Sequence, residues 1–371
     1  MNGHLRFRRI AFAFVLLAAA PALSDPLTPF NGPPQPVTVE DVLPRNGAPE
    51  NRGNEFYSEW WSFIFRLEGG YKAYVQFLVS NMGPGDDKAA VSSEFRVPDQ
   101  DTVKDRSDFQ AGKWSSAKDK VELRFGPNVL SGPLDGLKIH VENESFTADY
   151  VLTNLAPPWK PGSGKAQYGR SQGAYYQFQL LAPVARVEGT VTMADDGSVH
   201  KVKGLVHADH QVASIGMQDQ ARRWARFRCI GEKTTFVLAS METPEAYGGT
   251  PIRFAALFQD GKVAFQSWDF DLKESDGWND PQKQGYGAPR LLEFRSRPGA
   301  DPFHGVVKAT AMTSREDFLE NQNAATRFVV SKFAKPVMYY FDGLFAVEGT
   351  SPSGKVDGRG KGTYYFTVVN P

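Results

Sequence analysis

The sequence predicts an all-β protein built as two tandem antiparallel β-barrels related by internal duplication. Three observations predict it. Val187-Glu188-Gly189-Thr190 recurs 160 residues on as Val347-Glu348-Gly349-Thr350. Each copy follows a strand-like stretch and leads into a glycine turn (Asp196-Gly197; Ser353-Gly354) and a Lys-Gly pair (Lys203-Gly204; Lys361-Gly362). Trp60 and Trp224 each open a strand–turn–strand unit, ending at Ser80 and Met241, at nearly the same offset. Self-similarity in order and spacing is a property of architecture. The third observation is period-two alternation in short stretches separated by turn signals such as Glu68-Gly69-Gly70, Gly231-Glu232 and Asp260-Gly261.

Taken in order, residues 1–24 read as a secretory signal peptide. Arg6, Arg8 and Arg9 precede an apolar run from Ile10 to Ala20 and the small-residue pattern Ala22-Leu23-Ser24. The alternative is a short N-terminal anchor. No cysteine follows the run, and no later stretch approaches the ~20 apolar residues of a transmembrane helix. The expected compartment is the periplasm. Residues 25–50, rich in Pro, Gly and Asn, read as an extended leader that wraps or dangles. Residues 51–204 and 205–371 are the expected barrels.

Strands are expected at 71–79, 121–125, 146–153, 175–181 and 186–193, then at 223–230, 234–241, 252–258, 262–270, 291–295, 305–311 and 362–368. One short helix is expected from Ser314 to near Gln322, with Asp317 three residues after its cap and Phe318 and Leu319 on its apolar side. Residues 155–173 read as a long loop and 275–289 as its irregular counterpart. Barrels of about eight to ten such strands have no edges and can enclose one hydrophobic ligand.

The chain has 42 basic and 42 acidic residues; without the three arginines of the signal it has 39 against 42. That balance gives no electrostatic case for nucleic acid. Cys229 is the single cysteine, which excludes an internal disulfide, and its alternating strand marks it as a buried small apolar residue.

The densest polar cluster is His200, His207, Asp209, His210 and Gln211. On a strand, His207 and Asp209 face one way and His210 the other. A metal site, an acid–base pair in which Asp209 orients His210, and hydrogen bonds pinning two barrels together are the three readings. Glu59-Trp60-Trp61 is the second feature. One ring fills the barrel and the other covers its outside or the interdomain seam. Tyr247 falls in a rim loop, at a cavity mouth, and Arg222, Arg226 and Arg228 share a face with Trp224. There is no CxxC, HExxH, G-x-S-x-G, Walker or Rossmann pattern, so no metal or other cofactor is expected.

Lys203-Gly204, His207 to Gln211, Gly216-Met217, Trp224, Phe227 and the run Ala239 to Gly248, with Val75-Gln76-Phe77 and Ser80-Asn81, resemble the fungal survival-factor family. The resemblance spans roughly residues 50–371 and implies two lipocalin-like barrels in tandem. It also implies transfer of ceramide and other lipids between membranes. The same superfamily includes carotenoid hydratase, tocopherol cyclase and Diels–Alderase-like enzymes. Members often carry Asp-His followed by Asn/Glu-Trp-Gly; here Asp209-His210 is followed by Gln211-Val212-Ala213.

The first expectation is therefore a monomeric, non-catalytic periplasmic carrier of a long-chain, sphingolipid-like lipid, in transient contact with a membrane or transporter. Its ligand-binding candidates are Trp60, Trp61, His207, His210, Gln211, Trp224, Arg226 and Tyr247. The alternative is a cyclase, hydratase or isomerase acting on a hydrophobic substrate. Glu59 or Asp209 would be its acid, raised by burial, with His210 beside it.

Overall fold

The computed structural model of the chain describes residues 27–82, 85–170, 173–320, 334–351 and 354–370. The expected signal peptide lies outside them. In the first sheet the meander Ser58–Leu67, Lys72–Ser80, Lys88–Arg96, Val103–Phe109 continues on its other side through Val199–Ala213, Tyr175–Met193 and Phe146–Asn154. Lys138–Glu142, Asn128–Ser131, Glu122–Phe125 and Trp114–Ser116 complete it. In the second sheet the meander Arg223–Cys229, Thr234–Glu242, Pro251–Gln259, Lys262–Ser267 continues through Gly354–Val368, Val337–Ser351, Phe303–Asp317, Gly287–Ser296 and Phe270–Asn279. Both units share one topology: a four-strand meander whose first strand is paired by the unit's last strand. Both Val-Glu-Gly-Thr tetrads lie on the penultimate strand, and Trp60 and Trp224 on the first.

Alternation then builds the cores. Trp61, Phe63, Phe77, Phe95 and Phe125 are fully buried in the first sheet's cluster. The second holds Phe227, Phe236, Phe294, Phe345 and Tyr364. Each such ring contributes roughly 1.5–3 kcal/mol by leaving water. The sheets curl so that rings from distant strands meet, Phe77 on Phe125 at 5.4 Å and Phe236 on Phe294 at 5.9 Å. Cys229 is buried, as its alternation predicts.

Four expectations are corrected. The boundary at 204/205 falls inside one strand, because Val199–Ala213 pairs with Ser58–Leu67 along its length from Gly204 to Ala213; the second sheet begins at Arg223. The stretches 175–181 and 186–193 form one continuous strand, bulged around Pro183, which has no N–H for the ladder. The helix from Ser314 is instead the end of strand Phe303–Asp317, where Ser314 pairs with Tyr340 and Asp317 with Val337. Cross-strand pairing outweighs the local capping signal, and the helix's expected end near Gln322 lies outside the described residues. Finally, 275–289 is a paired hairpin, with Gly277 opposite Pro289 and Trp278 opposite Ala288. Pro289 lies beyond the last pairing with the next strand (Leu291 with Lys308), so its missing N–H interrupts nothing there.

The leader wraps. Leu27–Thr28 pairs with Gln167–Tyr168, giving the 155–173 excursion a strand. The helical turn Val39–Val42, closed by a Thr38/Asp41 capping box, buries Val42 in the first core. Lys160 pairs with Asp41 at 2.8 Å, and both are largely buried. A third apolar cluster joins the units. Phe30, Trp159, Tyr176 and Phe178 meet Val237, Met241, Phe254 and Phe258, with Phe178 stacked on Phe254 at 4.4 Å.

Candidate functional site

Strand Val199–Ala213 carries two polar clusters because its side chains alternate. His210 points into the first barrel. Its ring stacks on Trp61 at 4.6 Å, its Nε2 lies 2.7 Å from Glu59 Oε1, and its Nδ1 faces the Gln179 amide nitrogen. Gln179 Oε1 accepts from Gln177, so the network assigns the imidazole proton to Nε2, donating to Glu59. Glu59 Oε2 accepts from the Tyr57 hydroxyl and from Arg45 N at 2.8 Å. Burial first, then the charge of Glu59, lifts the Tyr57 hydroxyl well above the phenol range, which keeps it a donor. The leader roofs this cluster: Val42 O accepts from Trp61 Nε1 and Asp41 O from Gln179. Three donors converge on Glu59, and protein covers it completely.

His207, Asp209 and Gln211 face the seam between the barrels. Asp209 Oδ2 lies 3.1 Å from Arg228 and 4.0 Å from Arg226, and Oδ1 accepts from Gln211 at 2.6 Å. Gln211 Oε1 accepts from Arg226 at 3.0 Å and from the Tyr176 hydroxyl at 2.7 Å. Arg226 lies over Phe178, and Arg228 over Tyr365. Burial alone would raise the Asp209 carboxyl, but Arg228 and then Arg226 outweigh it and hold it below the ordinary range. The expectation of an acid raised by burial is overturned for Asp209, because two guanidiniums sit beside it.

His207 Nδ1 donates to Pro183 O at 2.9 Å, which leaves Nε2 unprotonated, 3.9 Å from Asp209 and without a hydrogen-bond partner. Burial, then Arg228, pushes the imidazole down to about 4. The depressed value fixes a sign. The unfolded chain takes up a proton near pH 6.5 and the folded one does not, so stability falls as pH drops from about 6.5 to about 4, by roughly 3 kcal/mol. His207→Gln should flatten the dependence of the urea midpoint on pH across that window. An unchanged slope would contradict the assignment.

The remaining candidates are dispersed. Trp60 and Trp224 pack on the seam, while Trp61 fills the first barrel, the division expected of adjacent rings. Tyr247 packs edge-on against Tyr168 at 5.1 Å, within the seam, instead of standing at a cavity mouth. His200 leaves the cluster for Tyr71 and Ser198. No group of three metal-ligating side chains occurs among the described residues. Sequence reasoning passed over Gln179, Tyr176 and Tyr365, which reach the clusters only through barrel closure. Arg228 was legible, on the same strand face as Arg226. Two cavities, of about 350 and 360 Å³, open on the second barrel, and neither is lined by Glu59, Asp209 or His210.

Residues 54–367 match the Svf1 family. The chain belongs to the Svf1 family. No curated protein matches the sequence. Among solved structures, a putative AttH from Nitrosomonas europaea is similar at 16% identity, with a TM-score of 0.55, over 91% of this chain and 100% of that one. CghA, crystallised with Sch210972, is similar at 13% identity, with a TM-score of 0.54, over 93% and 98%. At these identities the likeness is one of fold: the double lipocalin-like barrel that the tandem repeat predicts.

Proposed function

We propose that this Svf1-family protein is a periplasmic carrier that binds a long-chain lipid by its polar headgroup at the interbarrel seam. The observation that supports the reading is a charge count. Among the described residues, Arg226 and Arg228 face one carboxylate, Asp209, while His207 is neutral. Arg226 Nε and His207 Nε2 are buried without partners. A buried, uncompensated positive charge is costly unless a polar or anionic group completes it. Around it lie apolar surfaces suited to acyl chains, Phe178, Trp60 and Trp224. Large aromatic side chains occupy both barrel interiors, which favours the seam over either lumen. The enzyme reading is less well supported, since Asp209 is held ionised and Glu59 already accepts three hydrogen bonds under the leader. The compartment rests on the basic, apolar and small-residue order of residues 1–24.

The test is mass spectrometry of organic extracts of protein recovered from the periplasmic fraction of its native host without detergent. A lipid at about one per chain is expected in the native protein and depleted in Arg226→Gln. Protein that is empty when native would end the carrier reading.

A further inference from the structure

The second barrel is not closed by hydrogen bonds along one line. Its edge strands are Lys262–Ser267 and Phe270–Asn279. The ladder between Pro251–Gln259 and Lys262–Ser267 stops at Ala255 opposite Ser267, so Pro251 to Phe254 have no strand partner on that side among the described residues. The 360 Å³ cavity lies in this gap, between Gly249–Arg253 on one side and Leu272–Glu274 on the other. Pro251 suits an edge, since it needs no ladder acceptor.

The first sheet also ends on two edge strands, Val103–Phe109 and Trp114–Ser116, but the position matching Arg223 is covered there. Trp60 pairs with Leu78 and Gln211, and Trp224 with Met241 and Thr367, so Glu59 and Arg223 occupy equivalent positions one residue earlier. Glu59 is sealed by the leader through Arg45, whereas Arg223 lines an open cavity.

The cavity's two arginines and two glutamates balance in number but not by pairing, because one arginine takes both carboxylates. Arg223 takes Glu242 at 2.6 Å and Glu274 at 3.0 Å, and Arg222 also reaches Glu242 at 3.6 Å. Arg253 is left. Its Nε donates to Ser240 Oγ at 3.3 Å and Nη1 to Phe270 O at 3.0 Å, and among the described residues no carboxylate pairs with it.

We infer that this lateral gap in the second barrel is a binding site for an organic monocarboxylate, held by Arg253. One spare planar guanidinium matches one carboxylate and its fork geometry. The glutamates Glu242 and Glu274 in the same wall disfavour a dianion such as phosphate. Leu272 and Pro251 offer apolar surface for the organic part, and the volume falls within the usual range of ligand pockets. Burial, foremost, holds the Glu274 carboxyl above its usual range, which softens its repulsion toward an incoming anion. The site is separate from the seam and stands or falls without the carrier reading.

Calorimetric titration of the full chain with sodium octanoate, sodium acetate and inorganic phosphate tests it. Saturable octanoate binding is expected, weaker acetate binding, and no phosphate binding. Arg253→Gln should weaken octanoate by about tenfold or more, the loss of a charge-assisted pair. Glu274→Gln should tighten it, because it removes a repelling charge and releases Arg223. That gain cannot arise from damaged folding, so it decides the matter even where Arg253→Gln misfolds. No saturable octanoate binding, equal affinity in all variants, or phosphate binding as tight as octanoate would overturn the proposal.

Discussion

Asp209→Ala is expected to lower the unfolding free energy by about 3–5 kcal/mol, the usual cost of removing one partner from a buried ion pair. The carboxylate is fully buried and is the one acid within ion-pair distance of Arg226 and Arg228 among the described residues. Its loss leaves two guanidiniums between the barrels and takes the acceptor from Gln211. Because the pair bridges the two units, the damage concentrates at the seam. Urea unfolding followed by circular dichroism should split from one transition into two as the barrels uncouple. The double substitution Asp209→Leu with Arg228→Met should recover much of the loss, since apolar residues of similar volume often replace a buried pair at little cost. A loss under about 1 kcal/mol for Asp209→Ala would mean that water screens the seam.

The same residue shows where sequence reasoning stops. Alternation separates His207 and Asp209 from His210 and sends Trp60 and Trp61 to opposite sides, and the structure agrees on each. Those outcomes depend on a two-residue period, which is local. The state of Asp209 depends on Arg228, 19 residues away, and on a seam whose Tyr365 lies 137 residues beyond Arg228. Glu59 meets His210 across 151 residues. No local pattern encodes such meetings, so burial read from sequence suggested an acid where the fold holds a carboxylate. The opposite error occurred at Ser314 and at 275–289. There local turn and cap residues signal a helix and a loop, and strand pairing overrides them.

Gly204→Ala and Gly362→Ala should each cost about 3 kcal/mol or more, a penalty of overpacking against atoms that cannot move aside. A methyl group on Gly204 would stand 2.3 Å from Arg66 O and 2.8 Å from Leu67 Cα; on Gly362 it would stand 2.1 Å from Arg228 O. In both cases the obstacle is the backbone of the unit's first strand, where the last strand returns to pair with it. Relief would require parting the two strands that complete each unit. The tetrads obey the same logic one strand further on: a methyl group on Gly189 would stand 2.4 Å from Asp149 O, and one on Gly349 would stand 2.5 Å from Pro302 O. The repeated motifs therefore mark where backbones cross too closely for a side chain, which is why they recur while most of the surrounding sequence does not. Gly47→Ala is the control. It has open space around it and an ordinary backbone angle, so its effect should stay within about 0.5 kcal/mol. Thermal and urea unfolding of the three variants decide the point. If Gly204→Ala and Gly362→Ala unfold with the native midpoint, the close crossing does not set the repeat.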